Sequence, residues 1–566
     1  MSLKNLIAPY GGQPVELMVS AERAEALRKE AFGLPSVDLD WRQLGELEML
    51  LSCAYAPLRG YMGRADYESV LEKLSLADGA AWPLPLTLRL SGKQAAELKQ
   101  KDRVALRDSE GFMLAVLEIG EIWQADYARD RELLARSAIA EGVEPAQDGW
   151  HVGGTVEGVS LPMHHDFSAL RMTPVELRAQ LAKRGWRKIV AYLTSQPMHR
   201  AQFEFCLRTA IEQEANLLLL PYGGGDLVSH AGYFTLMRTF QAIMPRFPAA
   251  TTQLAMLPVA PQPSSLREKL MRAILARNYG CSHVIVGGEH FDTGSARRGE
   301  DIGGMTGDLD VASAAERMGV SMIPFPRMQY VEDRDEFVPE SGLGDDVRGI
   351  SLGGEEFQRR LRAGLKIPEW YAFPEVIAEI NRSTPPRDRQ GFTVFFTGLS
   401  GAGKSTLARA LAIRLMEMGG RPVTLLDGDI VRHHLSSELG FSREHRDINV
   451  RRIGFVASEI TKNRGVAICA PIAPYRQTRR DVRSMIEAAG GFIEVYVSTP
   501  IETCEARDRK GLYAKARAGL IPEFTGVSDP YEAPEKPEVL LDTTELTVDE
   551  AIQRILLKLE YEGYLR

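Results

Sequence analysis

The sequence predicts a multidomain α/β protein, and three observations carry that prediction. A glycine-rich loop, Gly398-Leu-Ser-Gly-Ala-Gly403-Lys404-Ser405, stands between an apolar strand and an amphipathic helix. Beyond it, hydrophobic strand candidates alternate with helical stretches, the texture of a parallel sheet covered on both faces. At 566 residues the chain exceeds what a single core supports. The clearest boundary is the polar, two-proline stretch Ser383-Thr-Pro-Pro-Arg-Asp-Arg-Gln390.

Taken in order, residues 1 to about 165 mix short β-like runs (Trp82–Leu90, Arg103–Leu106, Met113–Ile119) with helical pieces. From about 170 the texture becomes α/β. A helix is expected near Thr173–Arg184, then strands at Lys188–Leu193, Asn216–Pro221 and His283–Val286. Residues 345 to 385 read as a small helical annex followed by the linker. The last segment, 386–566, opens with the strand Phe392-Thr-Val-Phe-Phe396. A helix with Leu407, Leu411, Leu415 and Met418 on one face follows the glycine loop. Further strands are expected at Pro422–Leu426, Gly465–Ala470, Phe492–Val497 and Val539–Leu541.

Composition is that of a globular protein, 44% hydrophobic and 25% charged. The formal net charge of −8 argues against nucleic acid as a partner, since a binder of phosphate backbones shows a basic face. No apolar run reaches membrane-spanning length, so no membrane partner is expected. Cys53, Cys206, Cys281, Cys469 and Cys504 are odd in number and lack metal-ligand spacing, which fits a reduced, cytoplasmic protein.

The glycine loop is a complete G-x-x-x-x-G-K-S/T phosphate-binding motif. Glycines let backbone N–H groups turn toward an anion, and the helix N-terminus adds partial positive charge. Lys404 can reach the outer phosphates of ATP, and the Ser405 hydroxyl can ligate Mg²⁺. Downstream, Asp427-Gly428-Asp429 with Arg432 closes a hydrophobic strand, so both carboxylates are expected at the carboxyl edge of the sheet. One can orient Mg²⁺, and the other can accept or orient the proton of an attacking hydroxyl. The stretch Leu439-Gly-Phe441 to Arg452 offers an aromatic face, guanidinium groups and the amide of Asn449, a mixture suited to an adenine-bearing anion or to an exposed basic helix. Arg507 to Gly519 reads as a basic lid or as a solvated helix.

Together these motifs resemble adenylylsulfate (APS) kinase. The carriers are Gly398–Ser405, Asp427-Gly-Asp429, Leu439-Gly-Phe441, Arg446 with Asn449, Pro474-Tyr-Arg476, Lys510-Gly-Leu-Tyr513 and Phe524-Thr-Gly526. The resemblance implies a P-loop kinase domain that moves the ATP γ-phosphoryl to the 3′-hydroxyl of APS, giving PAPS. It implies ATP contacts from Gly398, Ser400, Gly401, Ala402, Gly403, Lys404, Ser405, Thr406 and Arg507. It implies APS contacts from Arg432, Phe441, Arg446, Asn449, Pro474, Lys515 and Phe524. Lys404, Asp427, Asp429 and Lys515 are the expected catalytic set, with Ser405 and Asp427 toward the metal. Some relatives carry a serine where this chain has Ala473, so a phosphoserine intermediate is impossible here and direct in-line transfer is the simpler route. Two alternatives for this domain are another small-molecule P-loop kinase and a PAPS-binding regulatory domain. The intact Lys404 and Asp427-Gly-Asp429 argue against the second.

Residues 1 to about 382 resemble ATP sulfurylase (sulfate adenylyltransferase), on Leu44-Gly-Glu-Leu-Glu-Met-Leu50, Ala56-Pro-Leu-Arg-Gly-Tyr61 and the annex Glu355–Leu361 with Ile367-Pro-Glu-Trp370. The resemblance implies a β-rich, PUA-like domain over 1–165, a nucleotidyltransferase-type α/β domain over 166–344 and a family tendency to form dimers or hexamers. The family pattern Q-T-R-N-P-x-H-x-x-H is met by Leu193-Thr-Ser195-Gln196-Pro-Met-His199-Arg200-Ala-Gln202. The first histidine is kept, while the arginine is Ser195, the asparagine Gln196 and the second histidine Gln202. In the second pattern, G-R-D-H-A-G-P-G, His290 remains but Gly288 replaces the arginine. Gln196, His199, Arg200 and His290 are the expected remnants of that site. At roughly 1.5–3 kcal/mol per hydrogen bond to a charged group, two lost arginines cost about 3–6 kcal/mol of binding to sulfate in the transition state. Arg200, Arg267, Arg272, Arg297 and Arg298 lie near these motifs and are candidates to compensate. One reading is a divergent sulfurylase that takes sulfate and ATP and releases pyrophosphate; the other is a scaffold that has lost most of that activity.

Overall fold

A computed structural model describes residues 6–126, 128–130, 133, 149–224, 232–261, 265–287, 316–344, 347–440, 442–508 and 511–565. The chain divides into two compact units, Met1–Phe357 with Ile367–Ser383, and Gln358–Lys366 with Thr384–Arg566.

The first unit holds a six-stranded sheet of β1 (Ser36–Asp38), β2 (Gly60–Tyr61), β3 (Leu88–Ser91), β4 (Arg103–Arg107), β5 (Met113–Gln124) and β6 (Gly149–Gly158). Its order is β1-β4-β5-β6-β2, with β3 also paired to β6. The strand expected from Trp82 begins only at Leu88. Pro83 and Pro85 remove the N–H groups that an earlier start would need. A second sheet is wholly parallel, in the order β11-β10-β7-β8-β9. It is built from β7 (Ile189–Thr194), β8 (Asn216–Pro221), β9 (Thr252–Leu254), β10 (His283–Val286) and β11 (Ser321–Pro324). Side chains alternate across β7. Ile189, Ala191 and Leu193 join the large core that also contains Leu47, Trp82 and Leu117 of the β-rich region. Val190 and Tyr192 face a second core with Cys206, Leu236 and Phe240. The β-rich and α/β regions therefore share one hydrophobic cluster. An antiparallel hairpin of β12 (Met328–Val331) and β13 (Glu336–Pro339) and the helix Pro374–Ser383 follow, while the helix Gly354–Ala363 is divided between the two units at Phe357.

The second unit is a parallel five-stranded sheet of β14 (Phe392–Thr397), β15 (Val423–Asp427), β16 (Val466–Ala470), β17 (Gly491–Val497) and β18 (Val539–Leu541), in the order β15-β16-β14-β17-β18. The P-loop strand β14 is thus central and buried along its whole length. Phe392, Val394 and Phe396 pack against helices Lys404–Met418 and Val548–Tyr561 on one face. Phe395 packs with Val450, Ile453, Val482 and Ile486 of helices Arg443–Lys462 and Arg476–Glu487 on the other. Met418, expected on the buried face of its helix with Leu407, Leu411 and Leu415, is 47% exposed: it is the last helical residue, past the end of the packed stripe.

Candidate functional site

The P-loop leaves β14 at Gly398 and enters its helix at Lys404. Gly401 has φ +77, and a Cβ there would lie 2.9 Å from the Cys504 carbonyl oxygen, so both conformation and space require glycine. The loop's carbonyls are held from outside. The Tyr513 hydroxyl donates to Ser400 O at 2.8 Å. The Thr499 and Thr543 hydroxyls lie 3.1 and 3.0 Å from Ala402 O. Lys404 Nζ, largely buried, donates to Leu399 O at 2.7 Å. With its carbonyls bonded outward, the loop can turn its amides inward, and the first-turn N–H groups of Lys404, Ser405 and Thr406 have no intrahelical acceptor. Ser405 and Thr406 are exposed on that turn. Arg507 donates to both the hydroxyl and the carbonyl of Thr543, which places it beside the loop at Gly403.

Asp427 ends β15 opposite Ala470 and is buried. The strand stops at Asp427 and Gly428–Leu435 is already helical, so Asp427 is the last strand residue and Asp429 belongs to the first turn of the helix that leaves the carboxyl edge of the sheet. Asp429's side chain, like Phe441 and Lys510, lies outside the described residues. Arg432, on the same helix, donates to Gly440 O at 3.1 Å.

Arg446 and Asn449 stand three residues apart on helix Arg443–Lys462, facing inward and buried. Arg446 Nη1 donates to Thr525 Oγ1 at 2.5 Å and pairs with Asp529 Oδ2 at 3.0 Å. Its Nε and Nη2, and the Asn449 amide oxygen, are buried without a hydrogen-bond partner among the described residues. The Tyr475 hydroxyl donates to Asp529 Oδ2 at 2.7 Å, and burial and that bond push the phenol above its usual range. Pro474 is buried, and its carbonyl accepts Glu532 N–H at 2.9 Å. Phe524 packs edge-on against Tyr513 at 5.1 Å. Lys515 is exposed on the helix Leu512–Arg517. Thr499, Thr543, Asp529 and Arg479 escaped the sequence reading, because their roles depend on neighbours far along the chain. Tyr475, Tyr513 and Thr525 lay inside motifs already singled out.

In the first unit, β7 ends at Thr194, whose hydroxyl accepts Gln196 N–H at 3.0 Å, and Gln196 is exposed. His199 precedes helix Arg200–Glu212, its ring against Tyr371 (4.5 Å) and Phe357 (5.4 Å). Burial pushes its pKa down to about 4, so it is neutral near pH 7. Gln202, standing where the family pattern has a histidine, uses its amide oxygen to accept His199 N–H at 2.7 Å, a helix cap. Arg200 is bound to Glu204 at 2.8 Å and Asp335 at 3.0 Å. Two candidates to replace the missing arginines are corrected. Arg267 is 1% exposed and donates to the carbonyls of Val70, Leu71 and Pro83. Arg272 is spent on Glu268 and Leu193 O. His290, Arg297 and Arg298 lie outside the described residues.

A P-loop on the central strand of a 2-3-1-4-5 parallel sheet, a buried guanidinium with a vacant edge and a second α/β unit define a P-loop phosphotransferase joined to a nucleotidyltransferase-type unit. Family models agree: adenylylsulphate kinase matches residues 390–542, ATP-sulfurylase 168–383 and a PUA-like domain 7–160. The sulfate adenylyltransferase of Phaeosphaeria nodorum is 41% identical over 98% of this chain and 99% of its own length, and that of Aspergillus oryzae 40% over the same shares. A solved structure described as a hexameric APS kinase from Thiobacillus denitrificans is 55% identical, covers 99% of both chains and superposes with a TM-score of 0.84. The chain belongs to the sulfate adenylyltransferase family, with an adenylylsulphate kinase domain at its C-terminal end, and is a transferase of sulfate activation.

Proposed function

We propose that the chain's principal activity is APS kinase, with ATP in Gly398–Ser405 and APS against Arg446, Asn449, Arg432, Phe441, Pro474 and Phe524. The observation that carries this reading is the vacant, buried Nε–Nη2 edge of Arg446 beside the unbonded Asn449 oxygen. Leaving such groups dry costs roughly 1–3 kcal/mol each, so they are retained for a ligand that supplies an anion and a donor. The Ser405 hydroxyl and Asp427 carboxylate are hard oxygen donors suited to Mg²⁺, which would neutralise phosphate charge when bound with ATP. Asp427 or Asp429 takes the 3′-hydroxyl proton as that oxygen attacks the γ-phosphorus and the bond to ADP breaks. Lys404 and, from the lid, Lys515 meet the transferring charge.

We further propose that the first unit is impaired as a sulfurylase. A neutral His199, Gln202 used as a cap, and Arg267 and Arg272 bound to other groups support this reading. The name of the fungal relatives favours a second reading, a working sulfurylase with a rearranged sulfate site. Assaying the whole chain separates them: PAPS formation from ATP and APS should be robust, and sulfate-dependent pyrophosphate release at least about 10²-fold slower. Comparable rates would establish the bifunctional reading. Lys404→Ala should abolish PAPS formation; near-normal turnover in that variant refutes the kinase assignment. The hexameric relative supports a homo-oligomer, dimer or hexamer, which light scattering would measure. Five buried, unpaired cysteines support a reducing compartment, the cytoplasm. Among the described residues no helix is long and apolar enough to cross a membrane.

A further inference from the structure

Among the described residues, Arg446 is hydrogen-bonded through Nη1 and not along its Nε–Nη2 edge. Both acceptors of its Nη1, Thr525 Oγ1 and Asp529 Oδ2, lie on the segment Phe524–Asp529, a turn closed by Asp529 N–H to Phe524 O at 3.1 Å and Gly526 N–H to Asp529 O at 2.7 Å. The Phe524 N–H donates to Ser528 Oγ at 2.8 Å within the same turn. The segment is anchored just downstream, where the Tyr531 hydroxyl meets Thr397 Oγ1 at 2.8 Å, at the last residue of the P-loop strand. Asp529 Oδ2 also accepts the Tyr475 hydroxyl, and the Tyr475 ring lies 5.4 Å from the guanidinium. A guanidinium bound at Nη1 cannot rotate without losing those bonds. Its Nε–Nη2 edge is then fixed, and that edge forms parallel pairs of hydrogen bonds with anion oxygens.

We infer that Asp529 is a positioning residue for the acceptor substrate: through its own contact with Nη1, beside that of Thr525, it holds Arg446 so that the Nε–Nη2 edge presents to the phosphosulfate group of APS. This rests on the APS kinase reading above. Asp529 itself does not touch the substrate; it acts through Arg446. The sign of the effect separates geometry from charge. If only Coulomb attraction mattered, removing a carboxylate from beside an anion site would tighten binding. If orientation matters, the same change loosens it.

The test is initial-rate PAPS formation by the whole chain, with APS varied at saturating ATP and ATP varied at saturating APS. Asp529→Asn should raise the KM for APS about 10- to 100-fold, with kcat and the KM for ATP within about threefold of wild type. Thr525→Val, which removes the other Nη1 acceptor, should raise the KM for APS in the same sense and stands in if Asp529→Asn fails to fold. In Asp529→Asn/Arg446→Lys, the KM for APS should be no worse than in Arg446→Lys alone, because both changes remove one fork. An unchanged or lowered KM for APS in Asp529→Asn, or in Thr525→Val standing in for it, overturns the inference, as do losses that multiply in the double variant. If the wild-type chain makes no PAPS at all, it is the APS kinase reading that fails.

Discussion

Removing the carboxylate of Glu494 should unlock the second unit. Glu494 lies on β17 with its side chain 9% exposed, between Arg479 Nε at 3.0 Å and Arg483 Nη2 at 3.3 Å. Arg479, 4% exposed, also donates to Ala473 O at 2.7 Å and Glu532 O at 2.6 Å. Glu494→Ala leaves a buried guanidinium without its counter-charge, which costs about 3–5 kcal/mol. In a unit of this size each kcal/mol lowers Tm by about 2–4 °C, so the transition of the second unit should fall by roughly 6–20 °C in scanning calorimetry. Arg483 retains Glu538 at 2.8 Å, which holds the loss toward the lower end. Because Arg479 holds the Ala473 and Glu532 carbonyls next to Pro474, which is proposed to meet APS, the KM for APS should rise as well. A Tm change under about 2 °C would show that solvent screens this pair and that the burial argument is wrong.

Three further outcomes are expected. Glu46, 14% exposed with Arg89 Nη2 3.9 Å away, has its pKa pushed by burial from 4.5 up to about 7. The folded state therefore binds its proton more tightly than the unfolded one, and that stability, at most about 3 kcal/mol, is lost as pH rises from 4.5 through 7. Glu46→Gln should then raise Tm at pH 8 and change little near pH 4.5; a pH-independent difference contradicts this. Gly401→Ala should raise the KM for ATP at least about tenfold, since the loop must move to clear Cys504 O; unaltered ATP kinetics would show that the loop tolerates a Cβ. Arg267→Met should destabilise the first unit by about 3–5 kcal/mol in denaturant titration, as three buried carbonyls lose their donor; a loss under 1 kcal/mol would mean that water replaces the guanidinium.

The second unit was legible because its signals are local. A strand, a glycine loop and an amphipathic helix follow one another without interruption, and the unbroken apolar run of β14 marks a strand covered on both faces. The strands Asn216–Pro221, His283–Val286 and Val539–Leu541 coincide with the expected runs. Less was legible where partners are remote. The sequence shows that Arg267 is near the sulfurylase-like motifs, but not that it reaches carbonyls nearly 200 residues earlier. Short strands such as Thr252–Leu254 and Ser321–Pro324 carry too few residues for a periodic pattern and are set by pairing with β8 and β10. The surroundings of Arg446 were half legible: Arg446 and Asn449 were named from their motif, while Asp529 enters through a turn some eighty residues later.

The cluster that joins Leu47, Trp82 and Leu117 to Ile189, Ala191 and Leu193 bears on how this protein can be dissected. A fragment starting near residue 168 would carry β7 with one apolar face bare to water. Such a piece should aggregate or stay partly molten even though it spans a whole family-model match. Conversely, Ser195, Gln196 and Gln202, which depart from the family pattern, lie beyond β7 and outside that shared interior. Changes at those three positions can therefore leave the packing of the surrounding body as it is.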